Sequence, residues 1–318
     1  MNHSPEPNIP RCDLPEPLLS QALDAAGLDD AEASLVRDFA RDGYVVFDPG
    51  LDEATLDEAE SSLRHRLLDA DGKARVGRIR NAWEQIEPVR QIATAAPVLR
   101  LLRTLYGREP VPYQTLNFPV GTQQKVHSDT IHFHTLPSGF MCGVWVALED
   151  VDERNGALVY YPGSHRTPIY EMYDLGRPGV LGMSTPQPEH YGVYERFVES
   201  WIDSQGFERR TLSIRRGQAL VWAANLFHGG GPVLEPGRTR FSQVTHYFFR
   251  DCVYYLPFFS DPAVGRLRQA HLIDIGSGEL VPSVFNGRRV SVLRGQPLVR
   301  GVRDLAIRTY LRWRYRRR

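Results

Sequence analysis

His127-Ser128-Asp129 is followed about a hundred residues later by Leu226-Phe227-His228-Gly229-Gly230-Gly231-Pro232. On a strand, residues i and i+2 point the same way. His127 and Asp129 can therefore share a face while Ser128 turns from it, and His228 must arrive on a distant strand. A chain that joins these three residues has to leave and return, which favours a closed β architecture. Two imidazoles and one carboxylate are the donor set that holds Fe(II) on one face and leaves the opposite positions open. Zinc accepts the same donors. Taken alone, His-x-Asp is common in surface loops. The glycines after His228 could simply make a turn, or they could let the backbone pass close to a bound ligand.

The apolar pattern agrees with a β core. From Val111 to Arg250 short β-rich runs alternate with Gly and Pro. They are Tyr113–Phe118, Phe140–Leu148, Ala157–Tyr161, Ala219–Trp222 and Phe241–Phe249, a spacing that suits a jelly roll. Ahead of them, helical spacing over Ala31–Arg41, Asp52–Leu68 and Val89–Tyr106 flanks a short strand, Tyr44–Phe47. The expected class is mainly β with flanking helices, a double-stranded β-helix core of the cupin-like, jelly-roll kind. Residues 1–30, rich in Pro, Asp and Glu, read as a loose arm. Residues 31–260 read as a single domain, with the barrel at about 111–250. The segment at about 166–210 reads as a lid carrying Tyr170, Met172, Tyr173, Tyr191 and Tyr194, with a helix over Tyr194–Ser204. Residues 261–318 read as an extension that ends in a basic helix, Val302–Arg318.

Hydrophobic residues make up 42% of the chain, enough for a sizeable core, and the formal net charge is zero. Nothing in that balance calls for nucleic acid. The three cysteines, Cys12, Cys142 and Cys252, form no pairing pattern, and no signal or membrane-spanning run is present, so a cytoplasmic protein is expected. The terminal helix, with Arg303, Arg308, Arg312, Arg314 and Arg316–Arg318 around Trp313, is a solvated basic end, a peripheral membrane contact or a nucleic-acid contact, the first being preferred. Oligomeric state stays open.

Other histidines have plainer readings. His132 and His134 lie close enough in sequence to be ligands too, but better suit the surroundings of the site, a substrate-facing place or structural roles, and His165 and His246 suit hydrogen-bonded core or rim positions. In Arg238-Thr239-Arg240-Phe241-Ser242 an arginine fork could take a carboxylate through two parallel hydrogen bonds. Arg240 and Ser242 share strand parity, but so does Arg238, so parity does not choose between the two arginines.

In their order and spacing these residues resemble the phytanoyl-CoA dioxygenase family of Fe(II)- and 2-oxoglutarate-dependent oxygenases. The likeness runs from about Phe39 to Phe249. It rests on Asp42-Gly43-Tyr44-Val45-Val46, His127-Ser128-Asp129, Asn155-Gly156-Ala157-Leu158, Pro162-Gly163-Ser164-His165, Leu226-Phe227-His228-Gly229-Gly230 and Arg240-Phe241-Ser242. It implies that His127, Asp129 and His228 ligate Fe(II). It implies that Arg240, with Ser242, holds the distal carboxylate of 2-oxoglutarate; six residues before His246, Arg240 fits the family spacing better than Arg238 does. Trp145 falls where the family places an aromatic near the site, and Gln114, Asn117 and Thr130 are further candidates for touching cosubstrate or substrate. Where some members carry a Ser two residues after the distal His, this chain has Gly230. Asp129 disfavours halogenation, because halogenating relatives replace that carboxylate with a small residue.

The activity so implied consumes O2 and 2-oxoglutarate, releases succinate and CO2, and hydroxylates an aliphatic C–H of a small molecule, as in the tailoring of secondary metabolites. Repeated oxidation or cyclisation would use the same site. The alternatives are a catalytically inactive barrel that binds a metal or small molecule, and a zinc-dependent hydrolase.

Overall fold

Residues 8–177, 188–262 and 265–290 are described by the computed structural model. The helical elements of the first third are α1 (Leu18–Ala25), α2 (Asp30–Asp42), α3 (Glu53–Leu67), α4 (Glu87–Ala93) and α5 (Ala96–Tyr106), interleaved with strands β1 (Tyr44–Phe47) and β2 (Ile79–Arg80). Then come β3 (Pro110–Phe118), β4 (His134–Leu136), β5 (Met141–Ala147), β6 (Leu158–Tyr160), α6 (Pro188–Gln205), β7 (Arg210–Thr211), β8 (Ala219–Ala223), β9 (His228–Gly230), β10 (Ser242–Phe249) and β11 (Val253–Tyr255). Two short hairpins, β12 (Leu272–Ile273) with β13 (Leu280–Val281) and β14 (Val284–Phe285) with β15 (Arg288–Arg289), complete the described part.

A six-stranded antiparallel sheet in the order β1-β8-β5-β10-β3-β2 faces a three-stranded sheet in the order β7-β6-β9. Side-chain alternation assigns the two faces of the large sheet. Val144 and Val146 of β5 and Ala219 and Val221 of β8 pack against Val36, Leu56, Leu63 and Val89 of the helices. Their alternates, Trp145, Leu220 and Trp222, point between the sheets to meet Leu158, Tyr160 and Ile214. The expected jelly-roll class is what the chain adopts, with the helices on the outer face of the larger sheet.

Local chemistry explains the helix ends. Asp29 accepts from the Glu32 N–H at 2.8 Å while the Glu32 carboxylate accepts from the Asp29 N–H at 3.3 Å, a capping box that starts α2. Gly43 stops α2 at φ 79°, and a Cβ there would lie 2.4 Å from His165 Nδ1. The Asp42 carbonyl accepts from the Gly163 N–H at 2.9 Å, so Asp42-Gly43-Tyr44 and Pro162-Gly163-Ser164-His165 are two halves of one contact.

Three expectations need correction. The helix expected over Val89–Tyr106 is two helices, α4 and α5. Pro97 has no N–H and its ring would clash with the carbonyl four residues back, so the chain extends at Ala95 and restarts. The loose arm is not loose where it is described: Cys12, Leu14, Leu19 and Leu23 are buried in the helix–sheet core, and Arg11 donates to the Thr104 carbonyl. The leucine spacing forms an apolar stripe that the acidic, proline-rich composition obscures. The boundary near 260 likewise separates no core, since Leu272, Ile275 and Val281 pack into the same cluster. The basic helix expected at Val302–Arg318 lies outside the described residues.

Replacing Gly43 by Ala forces a Cβ into the left-handed region and onto the His165 ring. We expect Gly43→Ala to lose about 2 kcal/mol or more of stability, read as a lowered urea midpoint at unchanged slope. An unchanged midpoint would refute this account of the motif.

Candidate metal centre

His127 and His228 stand directly opposite each other in an antiparallel bridge. Each backbone N–H donates to the other's carbonyl at 2.9 Å. This pairing brings strands a hundred residues apart into register and sets the two imidazoles side by side, ring centroids 4.6 Å apart. Just past His127 the chain turns into a short 3-10 helix, Asp129–Ile131, and the Asp129 N–H donates to the Ala224 carbonyl at 2.8 Å. Asp129 Oδ1 lies 3.9 Å from Nε2 of both His127 and His228. The three side chains are buried, and their ligand atoms lie within 4.8 Å of one another. Ser128 turns away, as its parity requires, and its hydroxyl meets Tyr194 Oη at 2.7 Å.

The donors are prepared for a cation. His127 Nδ1 lies 3.0 Å from the Lys125 carbonyl and His228 Nδ1 lies 3.0 Å from the Leu226 carbonyl. In each case a carbonyl two residues back takes the Nδ1 proton and leaves the Nε2 lone pair facing the centre. Burial and the neighbouring His228 lower His127 to about 3, so it stays neutral. Burial would raise Asp129, but His228, His246, His127 and the indole N–H of Trp222 outweigh it and hold the carboxylate at about 2.

Trp222 is a residue that sequence reasoning missed. Its Nε1 donates to Asp129 Oδ2 at 2.8 Å. The indole fits only because β5 carries Gly143 opposite, where a Cβ would lie 2.2 Å from the ring. The glycines after His228 have a related cause. A Cβ on Gly229 would lie 2.8 Å from the Gln124 carbonyl oxygen, and one on Gly230 would lie 2.6 Å from the Gln123 nitrogen. They admit the backbone of 123–126, and both also line the cavity beside the centre.

The centre opens into a cavity of about 410 Å³, within the usual range for small-ligand pockets. Arg240 and Trp145 lie on its wall, with the guanidinium carbon 5.6 Å from the indole and 6.0 Å from the Phe118 ring. Arg240 is 3% exposed, and its Nε has no partner among the described residues. The Val120 carbonyl accepts from Nη2 at a distant 3.5 Å. The nearby Glu149 carboxylate is engaged by the Phe241 N–H and the Thr239 hydroxyl. Burial lowers Arg240 to about 10, which leaves it charged at neutral pH. Arg238, by contrast, sits on the rim in ion pairs with Asp152 at 3.0 Å and Glu235 at 3.2 Å. Strand β10 begins at Ser242, so strand parity applies to neither arginine, and it is tertiary placement that puts Arg240 on the cavity wall and Arg238 on the rim.

Other candidates divide. Gln114 lines the cavity, but Asn117 has the opposite parity on β3 and donates to Gln243 Oε1 at 3.2 Å on the outer side. Thr130 is turned from the cavity toward Ser128 and Asn225, at 2.8 and 3.3 Å. Ser242 shares the inward face, but its Oγ donates to the Arg240 carbonyl at 3.5 Å and it is absent from the cavity wall. His246, placed as a core or rim histidine, also lines the cavity, its Nε2 3.7 Å from Asp129 Oδ2. His132 lines it too and stacks on Tyr191 at 5.3 Å. His134 is structural, its Nδ1 2.9 Å from Glu171 Oε1 and 2.8 Å from Tyr255 Oη. His165 donates from Nε2 to the Ala40 carbonyl at 3.2 Å. The described part of the expected lid is packed down: Met172, Tyr194 and Val198 form a cluster with Ile131, Phe227 and Phe258, and Tyr194 Oη accepts from the Ser128 N–H at 3.1 Å. Tyr170 packs on Phe197 and Trp201, and Tyr173 is exposed.

Comparison with known proteins supports the geometry. The sequence profile of the phytanoyl-CoA dioxygenase (PhyH) family matches residues 39–241, more than half of the chain. The phytanoyl-CoA dioxygenase domain-containing protein 1 of Danio rerio is 33% identical over 99 residues, 30% of this chain and 34% of that protein. The chain thus spans about a third of the length of such relatives. Among solved structures, the non-heme alpha-ketoglutarate-dependent carbocyclase SnoK from nogalamycin biosynthesis superposes with a TM-score of 0.57 at 19% identity, covering 81% of this chain and 98% of SnoK. EctD from S. alaskensis, solved with 2-oxoglutarate and 5-hydroxyectoine, gives 0.56 at 18% identity, covering 83% and 89%. These two likenesses are of fold.

The Trp222 contact predicts a metal phenotype. Trp222→Phe keeps the ring and removes the donor to Asp129. Gly143→Ala displaces the ring. Each is expected to weaken metal binding by about tenfold, measured by anaerobic Fe(II) titration; unchanged affinity in both would show that the indole does not support the carboxylate. A second prediction concerns acid. His132 and His165 are both lowered to about 4 by burial, below the ordinary value near 6.5. Between those values the unfolded chain takes up protons that the folded chain refuses, so stability falls as pH drops through that window. Urea unfolding of the metal-free protein from pH 7 to 4 should show this, and His165→Gln should remove roughly one proton from the slope. A slope unaltered by the substitution would contradict the assignment.

Proposed function

Because the chain belongs to the phytanoyl-CoA dioxygenase family, we propose that it is an Fe(II)- and 2-oxoglutarate-dependent oxygenase that hydroxylates an aliphatic C–H of a small molecule, in the tailoring of secondary metabolites. The observation that carries this reading is the buried, unpaired Arg240 on the same cavity wall as the triad. A buried guanidinium without an anion is costly. A dicarboxylic cosubstrate supplies the missing charge. The secondary-metabolite role takes its support from the likeness in fold to SnoK.

His127, Asp129 and His228 would hold the metal through two Nε2 atoms and one carboxylate oxygen. Bound iron with 2-oxoglutarate supplies oxidative decarboxylation and activation of O2 toward a C–H bond. The protein's own part is positional. The Lys125 and Leu226 carbonyls hold the Nδ1 protons, and Trp222 Nε1–H holds the Asp129 carboxylate in one orientation. Arg240, seated beside Trp145 and Phe118, would receive a carboxylate as a charge-assisted fork in a site that excludes water. Leu116, Phe118 and Val244 keep the cavity wall apolar and limit side reactions with solvent.

The test is anaerobic addition of Fe(II) and 2-oxoglutarate to the metal-free protein, following the weak visible charge-transfer band of the chelate. Wild type should show it and His127→Ala should not. Arg240→Ala should weaken 2-oxoglutarate binding by roughly 10- to 100-fold, the worth of a charge-assisted hydrogen bond. A folded wild-type protein that retains metal but gives no band would overturn the oxygenase reading.

A further inference from the structure

The mouth of the cavity carries charge that the metal and cosubstrate do not use. Arg78 and Arg80 flank it on and beside β2. Neither is within ion-pair distance of an acidic side chain among the described residues. The Gln114 amide lies between Arg80 and His246, and the orientation that satisfies both turns its oxygen to Arg80, 2.8 Å from Nε and 2.6 Å from Nη2, and its nitrogen to His246 Nδ1 at 3.2 Å. That contact orients the guanidinium without neutralising it. Some surface arginines, among them Arg41, Arg64, Arg103, Arg154, Arg216 and Arg238, meet carboxylates within 4 Å, whereas Arg78 and Arg80 face the cavity without one.

Formal charge sharpens the contrast. The chain as a whole is neutral. The cavity is lined by Arg78, Arg80 and Arg240, and its sole acidic lining residue is Asp129. A divalent metal and a dianionic cosubstrate cancel each other. Asp129 then offsets one guanidinium, and two positive charges remain facing the opening. Low-dielectric walls focus such a field on an incoming ligand.

The cationic groups also stand apart. Arg80 meets the inward face of β3 at Gln114, while Arg240 stands over Phe118, four residues along the same strand. At about 3.3 Å per residue that is roughly 13 Å of backbone, longer than 2-oxoglutarate extends between its carboxylates. The two guanidiniums are thus anchored at different points along the cavity wall.

Resting on the oxygenase reading, we propose that Arg78 and Arg80 form an anion-recognition site and that the substrate is an organic anion. Its carboxylate or phosphate is held at the mouth by the two guanidiniums. Its apolar body lies against Phe133, Leu256 and Phe259, and its reacting carbon reaches toward the triad. Binding in this sense makes the arginines specificity determinants and leaves the chemistry to the centre below.

The test uses the Fe(II) and 2-oxoglutarate complex under anaerobic conditions, with saturating 2-oxoglutarate so that Arg240 is occupied. Benzoate, phenyl phosphate and neutral benzamide are titrated and followed by ligand-observed NMR. The two acids are expected to bind and benzamide to bind at least about tenfold more weakly. The stronger acid identifies carboxylate or phosphate as the preferred group. The Arg78→Gln/Arg80→Gln double variant should lose at least about tenfold in acid affinity, with the 2-oxoglutarate midpoint moving less than about threefold. Arg80→Lys, which keeps the charge and loses the fork, should fall between. Equal binding of benzamide, unchanged acid binding in the double variant, or an equal loss of 2-oxoglutarate affinity would each overturn the proposal. Absence of the charge-transfer band in wild type would instead overturn the oxygenase reading, so the two failures are distinguishable.

Discussion

The reciprocal hydrogen bonds between His127 and His228 are the constraint on which the rest of the site depends. A metal site needs its ligands positioned to within a fraction of an ångström, and a single antiparallel bridge supplies that by placing two residues opposite each other. The bridge in turn demands close backbone approach, and Gly229 and Gly230 provide it by having no Cβ to meet residues 123 and 124. Asp129 then needs no strand of its own. Two residues past the bridge, its N–H is tied to Ala224 on the loop that leads into His228.

A second tier holds that loop. Ser164 Oγ accepts from the Phe227 N–H at 2.9 Å, and the Asn225 amide donates to the His165 and Thr167 carbonyls. The segment that carries Ser164 and His165 is docked on the end of α2 through Gly43. A helix cap about eighty residues before the first ligand is therefore connected to the last ligand through an unbroken series of hydrogen bonds. This explains why short motifs that look independent occur together: each supplies one face of a contact that the next completes.

Legibility in the sequence followed from whether a residue's geometry was set locally. The triad was legible because strand parity and donor chemistry act over two residues and one return of the chain. The strands of the core were legible for the same reason. Gln114 and Asn117 were grouped as candidates although their parities on β3 differ, and the structure separates them by face as parity requires. Arg238 and Arg240 could not be separated, because both precede β10 and their places are set by tertiary contacts: the Arg240 N–H donates to the Pro119 carbonyl, while Arg238 is drawn to Asp152 and Glu235. Trp222 gave no signal beyond an apolar strand; its role arises from Gly143 on the neighbouring strand, a pairing visible only in three dimensions. The leucines of α1 were hidden by composition, because acidic residues and prolines on the exposed side dominate any average over the segment.

The electrostatics of the cavity follow from these placements. Burying Arg240 beside apolar and aromatic walls removes the water that would screen it, which lowers its own proton affinity and strengthens its pull on an anion. The same burial keeps His127 neutral and its lone pair available. One physical condition, burial of these side chains between the two sheets, therefore prepares a neutral donor for a cation on one wall and a charged fork for an anion on another. The gradient from this dry interior to the exposed Arg78 and Arg80 at the mouth runs along a single strand, β3. An anionic guest would meet attraction first where solvent screens it and then where it does not, so the order in which groups enter the cavity is set by where each guanidinium stands relative to water.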